Sequence, residues 1–177
     1  MKTNGKTASM FWTQKTLLGL SLKRYQRAET EIMKIRKDEN YMPKSTDTLK
    51  VVLVKPYEKA FVTELGSDLE SMQEAVAGLI QPIYPFDENV VIVCNDEGKI
   101  LGLPLNRALK ADDGEIIDII AGDFFICGFR GENFISLSDE QLNRYCEMFK
   151  YPERFFRVNG EIKAVPVIET KGKDMER

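Results

Sequence analysis

The chain has 177 residues, of which 43% are hydrophobic and 30% are charged, so its length fits one domain plus about 50 further residues. It contains no histidine, which excludes Ser-His and Cys-His nucleophile pairs, the common zinc sites and a histidine pH switch. No apolar run approaches the roughly 20 residues that a membrane helix needs, so we expect no membrane contact.

Charge is unevenly distributed along the chain. Residues 1–48 hold ten Lys/Arg and five Asp/Glu, a net charge of +5, whereas the rest of the chain carries −8. Such asymmetry indicates that one end meets an anionic partner and the other a basic one, although the two halves could also neutralise each other within the fold. We divide the chain into a basic N-terminal arm (1–48), a domain (49–168) and a charged tail (169–177).

The basic arm is predicted to contain an amphipathic helix from about Thr13 to Lys37, followed by a linker. Its apolar residues recur at helical spacing and form one stripe: Leu18, Leu22, Tyr25, Ile32 and Ile35. The nucleic-acid-binding candidates lie mostly off that stripe: Lys23, Arg24, Arg27, Lys34, Arg36 and Lys37. This face could follow the phosphates of double-stranded DNA or RNA, or could simply be solvated.

The first half of the domain is predicted to begin with a strand ending at Pro56, paired with a partner over 60–65. A helix follows, with Ser67 as its N-cap, Glu70 as its capping-box partner and apolar residues reaching Leu79. Further strands are predicted over 80–84, 89–94 and 99–101.

The second half of the domain is predicted to start with an irregular segment or short helical turn over 103–109. Strands over 115–121 and 123–129, a helix with Ser138 as N-cap, and a hairpin around Asn159-Gly160 follow. Because strands and helices do not alternate regularly, we predict an α+β fold: a mixed, largely antiparallel sheet with two or three helices.

The three cysteines lie far apart in the sequence and form no Cys-x-x-Cys pair. Cys94 and Cys127 stand in apolar runs, which predicts buried free thiols, and the odd count with Cys146 fits a reducing cytoplasm.

Acidic residues concentrate in the predicted turns. The densest group, around Gly114, lacks the ligand spacing of a calcium loop, so we predict neither a metal nor a cofactor. These turns could instead contact a basic surface of another protein. The partner-binding candidates are Asp87, Glu88, Asp96, Glu97, Asp112, Asp113 and Glu115.

Arg107 stands between Leu105 and Leu109, in an apolar context where an unpaired charge would be prohibitively costly. It therefore either pairs with a carboxylate or lines a pocket for an anionic ligand. The second interpretation makes Asn106, Arg107 and Asp118 a candidate pocket for a small anionic ligand and the protein a ligand-binding or regulatory module.

Five stretches of the domain carry a family resemblance. The most specific are Leu103-Pro104-Leu105-Asn106-Arg107-Ala108 and Asp118-Ile119-Ile120-Ala121-Gly122-Asp123-Phe124-Phe125, and the others stand at 49–56, 83–86 and 93–99. In chain order they resemble a family of domains of unknown function that is frequent on bacterial phages, plasmids and conjugative elements, and the resemblance covers about 50–168. A ligand-binding protein with this resemblance would be a regulatory module of such a mobile genetic element.

The resemblance implies no enzymatic activity and no catalytic residues. The whole chain is similar to anti-CRISPR inhibitors of type II effector nucleases. This likeness implies a non-enzymatic counter-defence protein that binds the effector–guide RNA complex in the host cytoplasm and blocks DNA recognition or cleavage.

Overall fold

The computed structural model describes residues 48–168. The predicted helix of the basic arm, its six basic candidate residues and the charged tail lie outside the described residues. Ten strands and two helices follow one another along the chain: β1 (Thr48–Val54), β2 (Phe61–Gly66), α1 (Leu69–Val76), β3 (Ile80–Ile83), β4 (Val90–Asn95), β5 (Leu105–Lys110), β6 (Ile116–Ala121), β7 (Phe124–Arg130), β8 (Asn133–Ile135), α2 (Asp139–Met148), β9 (Glu153–Val158) and β10 (Glu161–Pro166).

The main sheet has the strand order β2-β1-β7-β4-β3, and β8 adds to β7. Two further two-stranded sheets are the hairpins β5–β6 and β9–β10. Every pairing in the described part is antiparallel.

The predicted fold class, α+β with a mixed sheet, is wrong. Strands make up 47% of the described residues and helices 15%, so this part of the chain is mostly antiparallel β structure. Short connections such as Gly131-Glu132 (β7–β8) and Asn159-Gly160 (β9–β10) join paired strands, and short connections favour antiparallel pairing. Both helices are also brief, with eight and ten residues.

The main sheet is buried on both faces, because its central strands alternate between two apolar clusters. In β4, Ile92 and Cys94 belong to one cluster and Val91 and Val93 to the other. The first cluster includes residues of α2 and of the β5–β6 hairpin, and the second includes residues of α1. The sheet is therefore the middle layer, with α1 on one side and α2 plus β5–β6 on the other.

Helix α1 begins one residue later than predicted, so the Ser67–Glu70 capping box is wrong. Asp68 is the N-cap, and its Oδ1 accepts a hydrogen bond from the Ser71 backbone N–H at 2.8 Å. This backbone hydrogen bond, with a second one from the Ser71 hydroxyl, lowers the pKa of the Asp68 carboxyl. The helix ends at Val76 because Ala77 adopts the left-handed conformation, so Leu79 lies outside it and is exposed.

Helix α2 begins as predicted, with Ser138 as its N-cap. The Ser138 hydroxyl accepts from the Gln141 backbone N–H, while Gln141 Oε1 accepts from the Ser138 backbone N–H at 3.0 Å. These two reciprocal bonds form a complete capping box.

Two local predictions between β4 and β6 are wrong. Residues 105–110 form β5 and are not irregular, because they pair with β6 through two register shifts, one of which isolates Asn106. Residues 99–101 are a turn and not a strand. Backbone bonds from Leu101 N–H to Glu97 O and from Leu103 N–H to Gly98 O tighten that turn.

The burial of the Cys94 and Cys127 thiols is confirmed, and neither is in a disulfide. Burial raises the pKa of both thiols, that of Cys94 to about 12, so they are poor nucleophiles at neutral pH. Cys146 is half-buried, and its Sγ donates to the Ala60 carbonyl oxygen. Over residues 48–168, neither helix is long and apolar enough to cross a membrane.

The predicted hairpin around Asn159-Gly160 is confirmed as β9–β10. Both turn residues have positive φ, 52° and 87°, which is typical of the tight turns that match the twist of antiparallel strands.

Candidate functional site

The acidic candidate residues lie on three separate turns and not in one cluster. Asp87 and Glu88 precede β4, Asp96 and Glu97 follow it, and the remaining three occupy the β5–β6 connection. Because β4 is six residues long at about 3.3 Å per residue, the first two turns are about 20 Å apart. Any partner contacting both must therefore span about 20 Å.

The carboxylate of Glu88 joins helix α2 to the turn before β4. It accepts hydrogen bonds from the Tyr145 hydroxyl and from Gln141 Nε2, and it forms an ion pair with Arg144 at 2.7 Å. Burial opposes the charged form, but these hydrogen bonds and the guanidinium outweigh it, so the pKa of Glu88 is lowered. Glu88 thus attaches α2 to the start of β4.

The acidic turn between β5 and β6 is held by its own backbone. Gly114, with φ of 86°, donates to the Ala111 carbonyl oxygen at 2.9 Å, and the Glu115 N–H donates to Asp113 Oδ1 at 3.0 Å. The side chains of Asp112, Asp113 and Glu115 are exposed. Over residues 48–168, no three acidic, cysteine or histidine side chains are grouped as metal ligands.

Arg107 is the largest fully buried side chain in the described part, with 2% of its surface exposed. Its guanidinium donates to the carbonyl oxygens of Phe149 at 3.1 Å and Glu58 at 2.7 Å, and to Asn106 Oδ1 at 2.8 Å. Burial lowers the pKa of Arg107 to about 10, while the charge of Glu153 acts in the opposite direction. The group therefore stays protonated at neutral pH. Carbonyl oxygens take the place of the carboxylate partner or anionic ligand that the sequence suggested.

Asn106 connects three parts of the chain. Its Nδ2 donates to the carbonyl oxygens of Val54, at the end of β1, and Gly122, before β7, at 2.9 and 2.7 Å. Its Oδ1 accepts from Arg107. All polar atoms of this amide group are therefore engaged by the fold, and together with Arg107 they attach β5 to the main sheet and to α2.

Asp118 lies apart from this pair and lines an open cleft of about 360 Å³ between β6 and the β3–β4 edge of the main sheet. Its carboxylate pairs with Lys99 and also accepts from the Ile119 N–H at 2.7 Å. Asn106 and Arg107 are not among the residues that line the cleft. The structure thus separates the three residues of the candidate ligand pocket.

Two charged residues with structural roles escaped the sequence reasoning. Lys99 pairs with Asp118 across 19 positions, and Glu153 accepts from the Ala108 N–H at 2.6 Å and from Lys110 Nζ at 3.3 Å. Both contacts join residues distant in sequence, and no local spacing pattern could have indicated them.

A sequence profile described as "Domain of unknown function (DUF3846)" matches residues 49–150. This match covers more than half of the chain and ends before β9, so the β9–β10 hairpin lies beyond it. No curated protein and no solved structure matches the chain.

Proposed function

This chain belongs to the family described as Domain of unknown function (DUF3846), and from that premise we propose that it is a non-enzymatic anti-CRISPR protein. It binds a type II CRISPR–Cas effector nuclease loaded with guide RNA and blocks target DNA recognition or cleavage. In this proposal a phage or another mobile genetic element encodes the protein, which acts in the cytoplasm of the bacterial host.

The observation that carries the proposal is the acidic surface of the domain. Residues 48–168 contain 20 acidic and 12 basic residues, which gives the full −8 of the chain beyond the basic arm. Five of the basic side chains are in ion pairs with carboxylates of the same domain, and Arg107 is buried. Type II effectors hold nucleic acid in a positively charged channel and read the adjacent motif with arginines. Exposed carboxylates can compete for those positive groups.

The best-formed contact surface is the acidic loop, which we define as residues 96–101. Asp96 and Glu97 are exposed, and the same loop exposes Ile100 (86%) and Leu101 (59%). Large apolar side chains next to charges are typical of a binding surface, and exposure of this degree is costly without a partner. The backbone bonds of the turn fix the loop before a partner arrives, which reduces the entropy lost on binding.

Inhibition by binding alone agrees with the chemistry of the side chains. The chain has no histidine, and burial raises the pKa of the Cys94 and Cys127 thiols. The guanidinium N–H groups of Arg107 already donate to carbonyl oxygens of the fold. Turn carboxylates without a neighbouring base or metal give little means of activating water.

The basic arm supplies the second part of the proposal. Its six candidates (Lys23, Arg24, Arg27, Lys34, Arg36 and Lys37) lie outside the described residues and would contact guide RNA or target DNA through their charge. The domain would then bind the effector protein while the arm binds its nucleic acid.

Cleavage of target DNA by a type II effector–guide complex, with and without this protein and at two salt concentrations, tests the proposal. We expect wild-type protein to inhibit cleavage and the inhibition to weaken at higher salt, because the contact depends on exposed charges. The double variant Asp96→Asn, Glu97→Gln should raise the inhibitory concentration about tenfold, since an exposed charge contact contributes up to about 1 kcal/mol.

The matched control is Glu74→Gln, Glu140→Gln, which removes the same charge from two exposed helical positions. It should inhibit like the wild type. Undiminished cleavage by several type II effectors would overturn the proposal. If the two double variants changed the inhibitory concentration equally, the acidic loop would not be the contact surface.

A further inference from the structure

The β9–β10 hairpin exposes four large apolar side chains. Phe156, Val158, Ile162 and Val165 are 51%, 49%, 43% and 49% exposed. A two-stranded sheet on its own is marginally stable in water, and this hairpin is attached at its base, where Glu153 accepts from the Ala108 N–H. Packing of another surface on these side chains would therefore stabilise the hairpin.

The strand register assigns these side chains to two faces. Residues directly opposite each other share a face, so Val165 lies beside Arg154, and Phe156 beside Lys163. Phe155 and its opposite residue are half-buried, which marks the other face as the one turned to the domain. We call the exposed side the outer face, formed by Arg154, Phe156, Val158, Glu161, Lys163 and Val165.

The hairpin is also basic within an otherwise acidic domain. Lys163 pairs with Glu161 at 2.7 Å, and Glu153 is engaged with Lys110. Arg154 and Arg157 form no ion pair with a carboxylate of residues 48–168. A partner of the hairpin should therefore offer apolar side chains together with carboxylates.

The acidic loop of the same chain has this composition. It places Asp96 and Glu97 beside the exposed Ile100 and Leu101, and neither carboxylate is in an ion pair within the described part of the chain. The two surfaces thus carry opposite charges, and both expose apolar side chains.

We propose that a second copy of this chain covers the hairpin, with the outer face of each copy docked on the acidic loop of the other. Arg154, the outer-face arginine, pairs with Asp96 and Glu97, and Phe156 packs on Ile100. A two-fold axis makes the contact twice and closes the assembly as a dimer. The outer face and the acidic loop each have six residues, whereas a standard interface has about 20–30 residues a side, so the dimer is weak.

Nucleic acid is the less suitable occupant of the hairpin. On the outer face Arg154 and Phe156 could contact phosphates and bases, but Val158 and Val165 would gain no matching group. The dimer does not depend on the effector proposal. It does have a consequence for it, because the acidic loop would be covered in the dimer and available in the monomer.

Sedimentation equilibrium of the full chain, from low micromolar to several hundred micromolar, tests the dimer. We expect the average mass to rise from 20.2 kDa towards twice that value. Charge reversal on the outer face of the hairpin (Arg154→Glu) or on the loop (Asp96→Lys, Glu97→Lys) should weaken association at least about tenfold, because like charges then face each other.

Combining the two reversals in one chain should restore association, since the pairs are again opposite in sign. The control Glu74→Lys, Glu140→Lys should leave it unchanged, and circular dichroism verifies that each variant is folded. A wild-type chain that stays monomeric, a dimer that survives either reversal, or a combined variant without restored association would overturn the proposal. A hairpin variant that is monomeric but still inhibits DNA cleavage would show that inhibition does not require the dimer. The dimer and the effector proposal can therefore fail independently.

Discussion

The main sheet and the β5–β6 hairpin pack against each other, yet different forces hold them. The strands β1, β4 and β7 alternate apolar residues between two buried clusters, so their stability comes from removing apolar surface from water. The attachment of β5 depends on polar groups, because Asn106 and Arg107 bond to carbonyl oxygens of β1, the β6–β7 turn and α2. Apolar packing tolerates small changes in the position of side chains. A buried charged group is stable only when each of its donors has an acceptor.

The largest expected effect comes from a cavity in the sheet core. Phe124 is completely buried and its ring meets that of Phe149 edge to face, with centroids 5.6 Å apart. Phe124→Ala should lower the free energy of unfolding by about 3–5 kcal/mol, measured by urea denaturation. Leu79→Ala, at a position 56% exposed, is the control and should cost much less. Similar losses in the two variants would contradict the sheet-core assignment.

A smaller but more local effect is expected from Arg107→Met, which keeps the length of the side chain and removes its donors. The carbonyl oxygens of Phe149 and Glu58 would lose a partner, at a cost of about 2–3 kcal/mol. Hydrogen exchange should show faster opening of β5 and β6 than of β4.

Lys110→Met removes a surface charge from the same strand and serves as the control for Arg107→Met. It should change stability by less than about 1 kcal/mol, because its ion pair with Glu153 is partly exposed. A fully stable Arg107→Met variant would mean that the guanidinium is not structural, and would revive the hypothesis of an anion pocket.

The smallest effect concerns the attachment of α2 to β4 through Glu88. Its pKa is lowered in the folded state, so the carboxylate stabilises the protein above the ordinary value of 4.5, and this contribution is lost as pH falls through the folded pKa. Glu88→Gln should therefore lower the melting temperature at pH 7, and the difference from wild type should shrink below about pH 4.5.

Glu147→Gln is the control for Glu88→Gln, because Glu147 is 70% exposed in its pair with Lys150. It should leave the melting curve nearly unchanged at both pH values. A difference between Glu88→Gln and wild type that stays constant down to pH 2–3 would show that charge on Glu88 is not the cause.

The sequence by itself located β1, β2, β3, β4 and β7 of the main sheet, the Ser138 N-cap, the Asn159-Gly160 hairpin and the buried thiols of Cys94 and Cys127, but it did not indicate β8. The features that it located depend on runs of apolar residues, a short-range capping hydrogen bond or a two-residue turn, all of which are readable within a few positions. The charge division between the arm and the domain was equally visible, because it needs only a count of residues.

Only the tertiary structure decided the class of the fold, the strand β5 and the separation of Asn106 and Arg107 from Asp118. β5 carries polar residues at positions that an isolated strand would expose, and partners 16 to 52 residues away bury them. Glu88 is a second example. Its sequence context is that of the other acidic turn residues, and only the tertiary structure brings three donors of α2 to its carboxylate. A local sequence pattern indicates which side chains are buried. It does not indicate which distant group pairs with a buried charge.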